Sequence, residues 1–466
     1  MGNEQQALFA VIRSEFGYFV RKVFEAINPG EAYIHGVYID AIAFQLTRLL
    51  AGENTRLVIN LPPRHLKSII ASVAFSAWIL GHMPTMKLLC VSYSPDLAIA
   101  FSKMVRTVME SPWYCQLFPG TVLSATDNTQ DLITTTAGGS RRAVSMGGAI
   151  TGFGADLIIL DDPQKADDVQ YPAKRQQAID TFRFTLATRL NDQTTGRIVV
   201  IQQRLHEEDL SGALLESGAW VHLSLAAIAE CTQTIELGKG KFYTRQPDDV
   251  LHPERLPKAE LDKIRAEIGS LAFATQYQQQ PAVPGGDIAP WKLFGIYDNA
   301  PAIEPGDMLV QSWDVATGTA LNNDFSVCTT WLYKNYCLYL LQVLRKKMDY
   351  PALNRFVRRF ANIEAADVLI IEANGIGAAL YSDMLNPRAA QFVFKDVAKD
   401  SKELRLMQVL PLIECGRVLI PCEAPWLQDF RCEWTNFPNG KHDDQVDSAT
   451  QALRWLRFKN LPPPSE

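Results

Sequence analysis

Two groups of residues in this chain have the types and spacing to do phosphate chemistry. The first is Leu61-Pro-Pro-Arg64-His-Leu-Lys67-Ser68, placed between a short apolar run and a helical stretch. At such a junction backbone amides and a helix N-terminus hold phosphate, the lysine neutralises it, and the hydroxyl ligates magnesium. Leu61 and Leu66 stand where the common pattern has glycine, and Pro62 and Pro63 lack amide donors. The Lys-Ser pair alone therefore reads equally well as a helix start with a solvated lysine. The second component is Leu157-Ile-Ile-Leu-Asp161-Asp162, an apolar strand ending in two carboxylates. There the first acid holds magnesium through water and the second polarises the attacking water. An Asp-rich turn before Pro163 explains the acids singly. Both features in this order, each at a strand C-terminus, favour a nucleotide hydrolase.

Other residues lie around this pair. Gly147-Gly148-Ala-Ile-Thr151-Gly152-Phe153-Gly154 is either a mobile loop near the phosphates or a plain flexible connection. Arg141 and Arg142, just before it, read as a solvated surface pair or as an arginine finger acting on a neighbouring subunit's ATP. Gln202-Gln203-Arg204 follows a strand end, where a side chain can sense the γ-phosphate; an ion pair is the competing role for Arg204.

The second group is made of carboxylates at the ends of separate elements: Asp314, Glu372, and Asp443, Asp444 and Asp447. Two-metal nucleases need such convergence to hold two divalent ions around a scissile phosphate. Hard oxygen donors suit magnesium or manganese. Each acid has a structural alternative, since Asp at a helix start is a favourable cap. Asp443 and Asp447 fall four apart on one helix face, which is repulsive without a cation. Glu372 ends the buried run Val368-Leu-Ile-Ile371, where a charge is costly unless paired or metal-bound. Asp324 reads as a turn residue ahead of an accessory ligand, and His442 as a solvent-facing neighbour of the acidic pair ahead of a member of the site.

The elements that position these groups follow from hydrophobic patterning. Residues 1–55 read as helices. Strands and helices then alternate: strands over 56–61, 87–93, 157–160 and 198–201, with helices over 68–80 and 95–110. Nearly continuous apolar strands between helices predict a parallel sheet covered on both faces. Residues 281–306 carry five prolines and four glycines and read as a linker. Beyond it come three strands (308–315, 325–333, 336–345), the last two joined by a tight turn at Lys334-Asn335. Helix 351–363, strand 368–371, helices near 375–385 and over 402–414, strand 417–420 and helix 443–457 complete the order, which is that of a ribonuclease H-like domain. The tail 461–466 reads as frayed.

Composition sets outer limits. The 466 residues are 47% hydrophobic and 21% charged, with 45 basic against 51 acidic. That excludes a disordered or collagen-like chain and a uniformly basic nucleic-acid coat, while leaving a local basic groove open. Eight scattered cysteines form no CxxC pair, which removes support for zinc knuckles and fits a reducing compartment. The N-terminus has no signal-peptide pattern, and the longest apolar segment is too short to span a bilayer. A soluble, cytosolic protein is expected.

Several segments together resemble the large terminase subunits of tailed bacteriophages and prophages. They are Asn60–Ser68, Thr151–Pro163, Gln203–Asp209, Leu251–Arg255, Ala272–Gln279, Ser312–Asp314 and Phe437–Asp447. In that family a Pro-Pro-Arg-His-x-Lys-Ser loop stands in for the glycine-rich one. The resemblance implies an α/β protein with an N-terminal P-loop (ASCE-type) packaging ATPase over 1–280, a small lid near 215–280, the linker over 281–306, and a ribonuclease H-like nuclease over 307–460. It implies that Arg64, Lys67, Ser68 and Asp161 bind ATP and magnesium, with Ser68 and Asp161 on the metal and Asp162 as the catalytic carboxylate. It implies that Asp314, Glu372 and Asp444 are nuclease carboxylates, with Asp443 and Asp447 as further metal ligands and manganese able to serve. The implied partners are double-stranded DNA, a portal protein, a small terminase subunit and, on the portal, further copies of the chain in a ring; no membrane is involved. The implied location is the host bacterial cytoplasm and transiently the procapsid portal. Phe153 departs from the family, where many relatives carry arginine. A non-packaging helicase-like ATPase and an inactive DNA-binding prophage remnant are the alternatives.

Overall fold

Aliphatic runs in this chain build two sheets, one in each of two units. A computed structural model describes residues 3–148, 152–281, 288–315, 325–373, 375–385, 392–397, 400–440 and 442–457. Unit 1 comprises residues 1–263 and 272–282, and unit 2 residues 264–271 and 283–466. Asp324, Thr151, the tail 461–466 and the central linker residues 282–287 lie outside the described residues.

The unit 1 strands are β1 (Arg56–Asn60), β2 (Lys87–Ser92), β3 (Leu132–Thr134), β4 (Ser140–Ser145), β5 (Leu157–Asp161), β6 (Arg197–Gln202) and β7 (Val221–Ser224). They form one sheet in the order β3-β4-β2-β5-β6-β1-β7, parallel except for β3 against β4. Side chains alternate across it. Leu57, Ile59, Leu157, Ile159, Val199 and Ile201 join the core on one face. Val58, Ile158, Leu160, Ile198 and Val200 join the core on the other. Coverage of both faces is why these strands read as unbroken apolar runs. β6 lies between β1 and β5, so the segments leaving all three meet at one end of the sheet. The helix after β1 begins as a π-helix, Ile69–Phe75, and continues as an α-helix, Ser76–His82. A separate hairpin pairs β8 (Gln233–Gly238) with β9 (Lys241–Arg245).

The unit 2 strands are β10 (Gly295–Tyr297), β11 (Met308–Asp314), β12 (Ser326–Lys334), β13 (Cys337–Lys346), β14 (Val368–Glu372), β15 (Phe392–Asp396) and β16 (Val418–Pro421). Their order is β10-β16-β13-β12-β11-β14-β15. The expected three-stranded meander is antiparallel β11-β12-β13, and the flanking pairs are parallel. Its tight turn falls one residue later than expected, at Asn335-Tyr336, both with positive φ (49° and 62°). Residues 288–297, expected as linker, belong to this unit: β10 pairs with β16, and Phe294 stacks edge-on against Trp434 at 4.9 Å. Strand β15 and the helix Leu427–Asn436 were not foreseen from the sequence.

Helix Asp444–Arg457 packs Val446, Ala449, Leu453 and Leu456 into the unit 2 core, as its spacing predicts. Polar contacts fix its axial position. Ser448 Oγ donates to the Ser312 carbonyl at 2.8 Å and accepts from the Thr329 amide at 3.1 Å. These bonds set the start of the helix beside the C-terminal ends of β11 and β14.

Candidate active sites

In unit 1 the loop after β1 has no glycine, yet it makes a glycine-like path. Arg64 and Leu66 take left-handed backbone conformations, with φ of 64° and 56°. Leu61, Pro62 and His65 are buried beneath the loop, and Arg64 is exposed on it. His65 Nδ1 lies 2.9 Å from the Pro63 carbonyl oxygen, and its ring packs edge-on to Tyr38 at 5.2 Å. Burial pushes the His65 imidazole down to about 4, so it is neutral in the fold.

This path delivers Lys67 and Ser68 to the acids that end β5. Lys67 Nζ lies 3.1 Å from Asp162 Oδ1 and donates to Gln203 Oε1 at 3.2 Å. Ser68 Oγ donates to Asp161 Oδ1 at 3.0 Å, and Ser72 Oγ to Asp161 Oδ2 at 2.7 Å. Asp161 is 1% exposed. Burial and the neighbouring Asp162 push its carboxyl up to about 7, opposed by Ser72, Lys67 and Ser68. A buried acid held this way is stabilised in its ionised form by a cation, and the adjacent hydroxyl and carboxylate oxygens suit magnesium. Asp162 also has positive φ (43°), which turns it out of the strand toward Lys67.

Gln203 is the residue of its segment that reaches the loop. Arg204 is instead committed to Asp209, with Nε 3.1 and 3.0 Å from the two carboxylate oxygens. Asp209 also caps the helix Leu210–Leu215 by accepting from the Gly212 amide. The Arg204–Asp209 pair thus clamps the turn that presents Gln203. Arg141 is fully buried; its guanidinium lies 3.4 Å from both the Ser72 carbonyl and Ser76 Oγ. That removes it as an arginine acting on a neighbouring subunit. Arg142 pairs with Asp131 at 3.1 Å and stacks over the Phe153 ring at 4.1 Å. Neither arginine is the solvated surface residue that the sequence suggested as the plain alternative.

In unit 2, β11 and β14 are parallel neighbours, so Asp314 and Glu372 end side by side. Burial, then Glu372, Asp447 and Asp444, hold the Asp314 carboxyl well above the usual carboxylate range, and Asp314 shares a hydrogen bond with Glu372. Asp444 is pushed up to about 6 by burial and by Glu433 and Asp443. Its Oδ2 is buried with no hydrogen-bond partner among the described residues. Glu433 holds the helix start by accepting from the Gln445 amide at 2.5 Å and Nε2 at 2.6 Å.

The sequence did not single out the two cations of this site. Arg405 Nη2 donates to Asp447 Oδ1 at 2.9 Å, and Arg405 Nη1 is 3.8 Å from Glu372 Oε1. Lys402 Nζ bridges Asp443 at 2.7 Å and Asp447 at 2.6 Å. Both come from the helix Lys402–Glu414, whose register i, i+3 places them on one face. Among the described residues no group of three acids, histidines or cysteines stands in metal-holding geometry. Asp447 and Asp443 are taken up by the cations. Asp314, Glu372 and Asp444 offer oxygen donors, and the partnerless Asp444 oxygen fits a divalent cation. His442 packs against the Phe325 ring at 6.1 Å.

Unit 1 is therefore a mostly parallel sheet whose strand ends gather a lysine, two serines and an acidic pair, and unit 2 a mixed-sheet domain with carboxylates at adjoining strand ends. Residues 311–455 match the family described as the terminase RNaseH-like domain. No curated protein matches the chain in sequence. Among solved structures it is similar to the large terminase of a thermophilic bacteriophage, at 11% identity, covering 90% of this chain and 98% of that one with a TM-score of 0.49. It is also similar to the large terminase of bacteriophage HK97 at 11% identity, covering 95% and 99% with a TM-score of 0.39. The large terminase nuclease of the thermophilic phage G20c, solved with bound cobalt, is similar at 14% identity over 37% of this chain and 98% of its own, with a TM-score of 0.30. Among the described residues no helix is long and apolar enough to cross a membrane.

Proposed function

We propose that this chain is the large subunit of a viral terminase. Unit 1 hydrolyses ATP to drive double-stranded DNA into a procapsid, and unit 2 cuts concatemeric DNA. One observation supports this above the alternatives: a loop whose Lys67 and Ser68 already touch both members of an acidic pair shares a chain with a terminase-type RNaseH-like domain.

In the ATPase, Lys67 neutralises the phosphates, Ser68 and Asp161 hold magnesium, and Arg64 completes the nucleotide-binding loop. Asp162 orients the attacking water, and Gln203 reports the state of the γ-phosphate to the turn clamped by Arg204 and Asp209. In the nuclease, Asp314, Glu372 and Asp444 hold divalent ions, magnesium or manganese, with Asp443 and Asp447 beside them. When bound, such ions supply an activated water and offset charge on the leaving oxygen. The carboxylates fix where that happens by ending adjacent strands and one helix. The partners are DNA, a portal protein, a small terminase subunit and further copies of this chain in a ring. The setting is the host bacterial cytoplasm and then the procapsid portal. A helicase-like ATPase with an inactive second domain leaves the buried carboxylates of unit 2 unexplained.

The test uses full-length Lys67→Ala and Glu372→Gln. Lys67→Ala should lose ATP hydrolysis and still cut plasmid DNA in manganese, and Glu372→Gln should do the reverse. Equal loss of both activities in either variant, with the fold intact by circular dichroism, would sink the two-engine reading.

A further inference from the structure

Arg345 and Lys346 end β13, and Lys347 follows the strand directly. Their ring partners place Arg345 and Lys347 on one side and Lys346 on the other. Arg345 lies over the Phe325 ring with its guanidinium carbon 3.9 Å from the centroid, and Lys347 Nζ lies 4.8 Å from the same centroid. Lys346 Nζ is 4.5 Å from the Phe356 ring. One ring thus gathers two like charges, which repel each other. Nearby Lys402, Arg405 and Arg454 all meet carboxylates within 4 Å. Among the described residues no carboxylate comes within 4 Å of Arg345, Lys346 or Lys347 as an ion pair, although Arg345 acts on Asp444 from farther away and lowers its carboxyl. Arg345 Nε and Nη2 are buried and have no hydrogen-bond partner among the described residues. A guanidinium held on an aromatic face beside two exposed ammonium groups, with no anion of its own, suits a phosphate.

The position of this group relative to the acids is set by register. Arg345 pairs across the sheet with Val327, and Val327 with Asp314. Two strand spacings put Arg345 about 10 Å from Asp314 along the sheet. Phe325 also meets His442, next to the acidic pair, so one ring joins the cations to the carboxylate-bearing segment.

The geometry points to Arg345 and Lys347, seated on Phe325, as a clamp for the DNA backbone beside the acidic site. This rests on the nuclease reading of unit 2 and assigns its substrate-positioning surface. The clamp touches phosphate and not bases, so it positions any sequence alike.

The experiment compares the full chain with Arg345→Gln/Lys347→Gln and with Arg345→Lys. A non-specific duplex is titrated at several salt concentrations. Plasmid cutting is followed in manganese, and the melting shift caused by manganese is recorded. The double variant should bind DNA about tenfold more weakly or worse. Its plot of log affinity against log salt should be shallower by about 2, because two phosphate contacts are lost. KM for plasmid should rise with little change in kcat, the manganese shift should match the parent, and Arg345→Lys should recover part of the affinity. Unchanged affinity and salt slope would overturn the clamp. So would loss of the manganese shift together with cutting, which would make these residues props of the metal site. A parent that binds DNA on the steeper slope yet never cuts refutes the nuclease reading instead, and the slope difference still reads the clamp.

Discussion

Arg405→Met removes a buried positive charge while keeping most of the side-chain stem. Arg405 is 3% exposed and Asp447, its partner at 2.9 Å, has a side chain 4% exposed. Taking one member from such a pair leaves the other charged and desolvated, at a cost of about 3–5 kcal/mol. Lys402 still reaches Asp447, which places the effect toward the lower figure. For a unit of this size each kcal/mol moves the melting temperature by about 2–4 °C, so a drop of about 10 °C is expected without metal. Divalent ions supply the missing charge. The variant should therefore gain more from added manganese than the parent does. Calorimetry in chelator and in manganese reads both quantities. Arg405→Met/Asp447→Leu serves as the control: with both charges gone, stability in chelator should largely return. A single variant that melts within about 2 °C of the parent in chelator, or gains no more than the parent from manganese, would refute the view that Arg405 balances the acidic site.

Other outcomes follow from the same geometry. Asp162→Asn should bind nucleotide and lose turnover by about a hundredfold or more, measured by nucleotide titration beside phosphate release. Gln203→Ala should lower kcat about tenfold with nucleotide affinity little changed, and an equal fall in affinity would mark Gln203 as a simple binding residue. His65 is held neutral, with its folded value below its unfolded one. Unfolding therefore takes up a proton between about pH 6.5 and pH 4, and the stability present above that window is lost as pH falls through it. The loss amounts to about 3 kcal/mol. His65→Phe should flatten that part of the curve in urea titrations at pH 7 and 4.5, and parallel curves for the two proteins would defeat the assignment.

Much of this arrangement was legible in the chain. Four unit 1 strands, β1, β2, β5 and β6, announced themselves because burial on both faces keeps their middles apolar, whereas β3, β4 and β7 did not. Glu372 was legible because a charge closing an apolar run needs a partner. The cations were not. Lys402 and Arg405 sit at a helix start where a basic residue usually meets water, and only the fold brings them onto Asp447 and Glu372. Arg141 misled for the converse reason: its depth under the loop helix is a property of the β2-β4 pairing, which no local pattern encodes. Strand β15 escaped notice because, at the sheet edge, none of its residues is buried.

The left-handed residues of the phosphate loop have a thermodynamic consequence. A glycine-built loop is shapeless until something orders it, and its guest must supply that ordering. Here Pro62 and Pro63 restrict the chain before the turn, and Arg64 and Leu66 are held where L-residues cost about 1–2 kcal/mol each. The surrounding core, with Leu61 and His65 buried in it, maintains that shape before any ligand arrives. Little conformational entropy then remains to be lost at the loop when nucleotide binds. On the ATPase reading proposed above, the free energy of binding is left available for mechanical work, and phosphates that compete for Lys67 would release its hold on Asp162 and Gln203 together.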